Sequence, residues 1–154
     1  MSRKLHLKYC STLLVFLLVG FTLNAQKHTL QFSKLTINEG LSQSYVNAII
    51  QDHLGYIWIG TQDGLNRYDG QSFKVYQNHY NDETSLSNNY IKAIAEDRQN
   101  NIWIGTDRGL NKFDYIKQKL VRWHFQSIEQ INMSSILSLS VDRDNNLWVV
   151  TDKK

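Results

Sequence analysis

DHLGYIWIGTQDGLNRYDG, at residues 52–70, is the stretch that decides the fold, because the chain repeats it. Residues 97–115 read DRQNNIWIGTDRGLNKFDY, and a third copy opens at residue 142 as DRDNNLWVVTDKK. The motif's tryptophans follow one another at intervals of 45 residues, at Trp58, Trp103 and Trp148. Self-similarity at this period indicates one supersecondary unit per repeat, each packed on its neighbours.

Each full repeat predicts four short strands joined by turns. In the first, the apolar or alternating runs are Tyr45–Gln51, Tyr56–Thr61, Leu65–Asp69 and Phe73–Gln77. Gly64 and Asp69-Gly70 lie between these runs, at places where an antiparallel hairpin needs a tight turn. The second repeat gives the same plan over residues 91–95, 102–106, 110–114 and 120–125. About four antiparallel strands in about 45 residues correspond to one blade of a β-propeller.

The repeat boundaries predict an all-β chain that is a partial propeller. Residues 26–40 are expected to hold a leading outer strand, because Phe32–Thr36 precedes Leu41-Ser42 as Phe73–Gln77 precedes Leu86-Ser87. Blade 1 is expected over residues 41–85, blade 2 over 86–130 and an incomplete blade 3 over 131–154. A closed ring needs about four blades, so about two and a half predict an open arc, the front of a longer protein or a truncated product.

The first 25 residues have the layout of a secretory signal. Arg3, Lys4 and Lys8 precede the apolar run of residues 12–23, and Ala25 provides a cleavage site. That run is shorter than the roughly 20 apolar residues of a membrane-spanning helix. We therefore expect export and cleavage after Ala25, with an uncleaved anchor or a buried helix as the alternatives.

Charge and cysteine content exclude some function classes once the signal is removed. Three of the 17 Lys+Arg lie in the signal and none of the 14 Asp+Glu, which leaves 14 residues of each sign. A neutral exported segment gives no electrostatic basis for nucleic-acid binding. Cys10, the only cysteine, leaves with the signal, so neither a disulfide nor a cysteine metal site is expected. No cofactor motif is present in the sequence.

The shared pattern, from Asp52 and Asp97 through Trp-Ile-Gly-Thr to Gly-Leu-Asn, resembles the two-component regulator propeller repeat. The resemblance covers residues 41–123 in two copies and residues 131–151 in part, where Val150 replaces the glycine. It implies the periplasmic sensor region of a hybrid two-component histidine kinase of Bacteroidetes, anchored through its parent chain in the inner membrane. It also implies an oligosaccharide ligand, and further propeller blades of the parent as partners.

The residues that recur in every repeat are interpreted as structural. Trp58, Trp103 and Trp148 are expected in the core between blades rather than in a sugar-stacking set, and the aspartates that open each motif in turns. The turn at Asp142 lacks the glycine and glutamate of a calcium loop. The four histidines outside the signal have no ligand spacing.

Binding residues are expected on loops at one end of the blades. These are the connections from the fourth strand to the next first strand, at residues 78–89 and 124–132, and the turns between second and third strands. Those turns differ between blades, which makes Gln62, Asp63, Asp107 and Arg108 the weak candidates for ligand contacts, against the alternative of ordinary solvated turns.

Two function classes and a third possibility follow. The first is a non-enzymatic, extracytoplasmic sensor of a glycan fragment. The second is an exported propeller enzyme acting on glycans, which would require convergent ionisable residues with shifted pKa values. The third is a truncated, non-functional product. The sequence contains no nucleophile elbow, no paired-carboxylate signature and no phosphate loop, which favours the sensor.

Overall fold

The structure, a computed structural model, describes residues 30–125 and 133–152. The predicted signal and its cleavage site lie outside the described residues. Residues 1–33 and 34–154 separate into two units by their internal contacts, and the sheets all belong to the second. Among the described residues, no helix is long and apolar enough to cross a membrane.

The second unit is built from antiparallel strands. The first sheet contains β1 (Val46–Gln51), β2 (Ile57–Thr61), β3 (Gly64–Tyr68) and β4 (Phe73–Tyr76) in that order. The second contains β5 (Ile91–Glu96), β6 (Ile102–Thr106), β7 (Gly109–Asp114) and β8 (Lys119–Trp123). A two-stranded sheet of β9 (Ile136–Val141) and β10 (Leu147–Thr151) follows. The predicted strands of both full repeats are confirmed with small differences at their ends.

The two four-stranded sheets share one register. Gly60 lies opposite Leu65 as Gly105 lies opposite Leu110, and both first strands carry an irregularity after their first residue. The turns are equally alike, because the carboxylates of Asp52, Asp97 and Asp142 each accept bonds from backbone N–H groups two and four residues later. The predicted turn role of these aspartates is therefore confirmed.

The core lies between successive sheets, in packed interfaces that we call seams. Trp58 is fully buried and meets Phe113 of the second sheet edge to face, with ring centroids 4.9 Å apart. The second seam is smaller, with Trp103, Leu110 and Ile136 at its centre. Trp148, however, is 61% exposed, so its predicted core role is wrong in this structure. Among the residues described, none packs a further sheet against that side of β10.

A glycine in β2 and another in β6 set the spacing between sheets. A Cβ atom added to Gly60 would lie 2.5 Å from Ile91 Cγ2, and one added to Gly105 would lie 2.6 Å from Ile136 Cγ2. Ile91 and Ile136 begin the next sheets and are fully buried. Both seams therefore depend on the absence of a side chain at this position. Val150, the equivalent residue of β10, is 53% exposed.

The structure differs from the prediction of a leading outer strand. Residues 30–36 have no regular secondary structure, and Ile37–Glu39 form a short 3₁₀ helix. Thr36 caps this helix, because its hydroxyl accepts from Asn38 N while Glu39 accepts from Thr36 N. The physical reason is that a strand requires a partner edge, and Phe32–Thr36 pairs with none of the described strands.

Candidate ligand-binding face

Loops at one end of the sheets come together where the sequence predicts a ligand face. The turn from β2 to β3 is bonded to the loop that enters the second sheet, because Gly64 N donates to Asn89 O over 2.8 Å. The next seam repeats the contact, with Gly109 N donating to Ser134 O over 2.9 Å. The predicted grouping at one end is thus confirmed for the loop at residues 78–89, while most of the connection at 124–132 lies outside the described residues.

Two of the four candidate residues are engaged in holding the seams. Asp63 accepts a bond from Asn89 Nδ2 over 3.1 Å. Asp107 accepts from Lys92 Nζ over 2.7 Å and from Ser135 Oγ over 3.0 Å. These contacts, with that from Lys92 the strongest, hold the pKa of Asp107 below its usual range. The two carboxylates therefore join sheets, and Gln62, half-buried beside Asp63, lies in the same turn.

The fourth candidate, Arg108, lines a surface pocket of about 370 Å³. The walls come from the loop after β4, the turn after β6 and the end of β8 with the residues that follow it. The principal polar and aromatic side chains of the lining are Asn78, His79, Arg108, Arg122, Trp123 and His124. The pocket thus combines the two kinds of loop that the sequence singles out.

Arg122 is a structural member of this pocket that sequence reasoning missed. Its guanidinium donates to the carbonyl oxygens of Asp82, Ser85 and Leu86 at 3.0 to 3.3 Å. It also pairs with Glu83 over 3.2 Å. The loop at residues 78–89 is therefore held against β8 from the second sheet. One feature of the sequence could have indicated this role, because Arg122 occupies a strand position that is Val75 in the first repeat.

A second set of polar contacts accounts for the threonine and the asparagine that recur in the motif. Asn66 Oδ1 accepts from Ser42 N over 2.9 Å, and Thr61 Oγ1 lies 2.8 Å from Ser42 Oγ. Asn111 and Thr106 hold Ser87 in the same way. The signal is present in the sequence as a Leu-Ser pair before each full repeat, and its bonds anchor the incoming loop to the centre of the sheet.

The opposite end of the sheets carries a buried carboxylate–aromatic cluster. Asp52 Oδ2 accepts from Trp58 Nε1 over 2.6 Å and, across the first seam, from the Tyr115 hydroxyl over 2.7 Å. Burial first, and then the Asp52 carboxylate, raises the pKa of Tyr115 above its usual range. His53 Nδ1 lies 2.5 Å from Glu96 Oε1 beside this cluster. The cluster therefore ties the two sheets together at the end away from the pocket.

The described residues do not place three or more His, Cys, Asp or Glu side chains together as a metal-binding group. At the turn that begins with Asp142, the carboxylate accepts from the side chains of Asn146 and Trp148. These bonds, that from Asn146 first, lower the pKa of Asp142 to about 2. The oxygens of this turn are thus used by the protein's own donors.

The fold defines a class: repeated antiparallel sheets whose connecting loops contact one another at one end. The two-component regulator propeller family matches the chain at residues 40–63, 85–108 and 130–153. These three stretches of the chain are therefore two-component regulator propeller repeats, and each of the two full repeats forms one four-stranded sheet.

Relatives and solved structures agree with this match. Histidine kinase P4 of Formosa agariphila is 43% identical over 75 residues, which are 49% of this chain and 6% of that protein. The extracellular domain of the hybrid two component system BT3049 from B. thetaiotaomicron is 31% identical and superimposes with a TM-score of 0.66, over 76% of this chain and 17% of that one. The extracellular domain of BT4673 from the same organism has the same fold, with a TM-score of 0.65 at 24% identity, over 82% of this chain and 17% of that one. This chain thus spans a small part of each relative.

Proposed function

We propose that this chain is the extracytoplasmic, ligand-sensing part of a two-component signal transduction protein, with a glycan fragment as its ligand. The proposal rests on the match of three stretches of the chain to the two-component regulator propeller family. It is supported by similarity to a histidine kinase and to the extracellular domain of a hybrid two component system. The described residues contribute binding surface, and catalysis belongs to a kinase in the parent protein. Export through the signal at residues 1–25 places the blades outside the cytoplasm.

The loop face supplies the binding surface in this proposal. Its pocket is bounded by the loop at residues 78–89, which enters the second blade, and by residues 124 and 133, on either side of the connection to β9. A ligand seated there contacts connections on both sides of the second blade. Such a ligand shifts the receptor between two states only by the difference in its affinity for them. Blades that pack against one another through buried seams then transmit the change as a rigid unit.

In the same proposal the chain contributes an open arc. Blade 1 covers residues 41–85, blade 2 covers 86–130 and the incomplete blade covers 131–154. Further blades of the parent pack against the outer faces of the arc, on which Ile49 is 63% exposed and Trp148 61% exposed. Large exposed apolar side chains of this kind are typical of protein contact surfaces.

Two measurements test the proposal separately. Isothermal titration of the parent's whole ectodomain with a panel of oligosaccharides tests ligand binding, and the expected result is saturable binding by at least one class of glycan. Absence of binding by every glycan in the panel would contradict the sensing role. Reading the coding DNA beyond Lys154 tests the link to signalling. A histidine-kinase segment in frame is the expected result, and an immediate stop codon would refute it.

A further inference from the structure

We propose that the pocket beside Arg108 selects anionic oligosaccharides, whose carboxylate or sulfate groups it binds through that arginine. This inference rests on the proposed glycan-sensing function and names the charge class of the ligand. It is carried by the side chains that line the pocket and by a comparison of the two full repeats with each other.

The lining is biased toward positive charge. It includes the arginines Arg108 and Arg122, the histidines His79 and His124, and one acidic side chain, Glu83. Glu83 is already paired with Arg122 over 3.2 Å. The formal charge that remains among these described lining residues is that of Arg108, with two imidazoles beside it. An anion that enters the pocket therefore meets an excess of positive charge.

Arg108 is available to bind a ligand. The residue is exposed, and its backbone N–H donates to Thr106 Oγ1, which fixes the turn from which the side chain projects. Its guanidinium makes no hydrogen bond or ion pair to another residue in the described part of the chain. The neighbouring carboxylate, Asp107, is bonded to Lys92 and Ser135, and the Arg108 charge acts on it only at longer range, where it helps to lower the pKa of Asp107. A planar guanidinium with free N–H groups is the side chain best suited to bidentate recognition of a carboxylate or sulfate.

The equivalent positions of the first repeat show that the fold does not require these charges. Asp63 precedes Gly64 as Arg108 precedes Gly109. Val75 lies opposite Asn66 as Arg122 lies opposite Asn111. Two residues further along the chain, just after each strand ends, Gln77 corresponds to His124.

Each of these three basic side chains thus replaces an acidic, apolar or neutral one at the same place in the same fold. The buried core residues Trp58, Gly60 and Leu65, by contrast, recur unchanged as Trp103, Gly105 and Leu110. These pocket positions therefore change their charge between repeats while the shared core stays the same.

The rest of the pocket suits a sugar. Trp123 is 42% exposed, while the edge contact of its ring with Trp103, at a centroid distance of 5.0 Å, fixes the orientation of the ring. A fixed, partly exposed indole offers an apolar face to a pyranose ring. Asn78 and Asn81, from the loop after β4, add side-chain amides to the same lining. An arginine, side-chain amides and an aromatic residue in one lining match the chemistry of an acidic oligosaccharide.

The test compares charged and neutral probes on the full chain. The probes are trigalacturonate, a sulfated galactose oligosaccharide and neutral galactotriose, each titrated calorimetrically into wild type, Arg108→Asp and Arg98→Asp. Arg108→Asp installs the residue of the first repeat. Arg98→Asp makes the same change of charge at an exposed turn at the other end of the sheet, and is the matched control. Thermal melts confirm that both variants fold.

The expected result is that at least one charged probe binds more tightly than galactotriose and binds Arg108→Asp about tenfold or more weakly, as loss of a charge-assisted hydrogen bond predicts. Binding to Arg98→Asp should stay within about twofold, since exposed charges far from a site are screened. Whether the carboxylated or the sulfated probe binds distinguishes the two sources of charge.

Three results would overturn the inference. Equal binding of galactotriose, unaffected by Arg108→Asp, would remove the charge selection and leave the glycan-sensing function standing. An equal loss in Arg98→Asp would show general electrostatic attraction without a site. Failure of both charged probes to bind would also refute it, and the sensing function would then depend on the neutral glycans of the separate panel.

Discussion

Replacing Gly60 by alanine is expected to destabilise the chain, because the seam between the first two blades has no room for a methyl group. The added Cβ would lie 2.5 Å from Ile91 Cγ2, 2.9 Å from Ile91 Cβ and 3.3 Å from Ile94 Cδ1. Ile91 is fully buried and β-branched within a paired strand, so it has no alternative position. The strand itself must move away from the first blade.

The magnitude follows from two opposing effects. Overpacking by about one methylene in a tight core costs about 1–3 kcal/mol. Substituting alanine for glycine regains about 0.4–1 kcal/mol through the unfolded chain. The contact with Ile91 Cβ, which side-chain rotation cannot relieve, puts the cost in the upper half of its range. We therefore expect a net loss of about 1–2.6 kcal/mol in the free energy of unfolding, by the same figures.

Urea denaturation followed by tryptophan fluorescence measures this loss, and the sequence provides a control. Val150 occupies the equivalent position in β10 and is 53% exposed, so Val150→Ala should change the free energy of unfolding by less than about 0.5 kcal/mol. In a double-mutant cycle, Gly60→Ala should cost less in an Ile91→Ala background, because Ile91 Cγ2 is then absent. Full stability of Gly60→Ala, or strict additivity with Ile91→Ala, would refute the steric account of the seam.

Three further predictions concern the core, a turn and the pocket loop. Trp58→Ala should cost about 3–5 kcal/mol in urea denaturation and Trp148→Ala less than about 1 kcal/mol, since only the first ring is buried; equal losses would contradict the packing described here. The folded-state pKa of Asp142 is lowered from 3.8 to about 2, chiefly by the hydrogen bond from the Asn146 side chain. The ionised carboxylate therefore stabilises the turn between β9 and β10 above about pH 4, and this stabilisation is lost as the pH falls toward 2. An NMR titration that places this carboxyl near 3.8 would show that the bonds do not form in solution. Arg122→Val, which installs the residue of the first repeat, should speed proteolysis within residues 82–86, and an unchanged cleavage rate would mean that the loop is held by other contacts.

Most of the fold is readable from the sequence because each repeat presents its own turn chemistry and alternation. The spacing of Trp58 and Trp103 fixes the blade period, and glycines mark the hairpins, so strand ends are predicted closely. The leading strand fails for a physical reason. Phe32–Thr36 has the composition of an outer strand, but composition supplies no partner edge. The exposure of Trp148 has the same cause, because burial in a repeat protein depends on the neighbouring repeat.

The site was less predictable, because its decisive contacts cross between repeats. Sequence divergence identified Asp63, Asp107 and Arg108 as candidates without distinguishing their roles. The structure separates them, since the carboxylates bond across seams and Arg108 lines the pocket. The bond from Tyr115 to Asp52 joins positions 63 residues apart and has no counterpart in the first repeat, where Gly70 takes the place of the tyrosine. A contact that occurs once in a repeated fold leaves no periodic signal.

The outer face of the third sheet differs from the corresponding faces of the first two sheets. Gly60 and Gly105 allow a fully buried isoleucine of the next sheet to approach within what would be 2.5–2.6 Å of a Cβ atom. Val150 already has a side chain there, so a sheet with isoleucine in the equivalent place could not dock on β10 in that register. A blade that packs on this face must therefore present a smaller residue opposite Val150 or lie further from it. The first two seams thus have a glycine at this position, whereas the outer face of the third sheet has a valine.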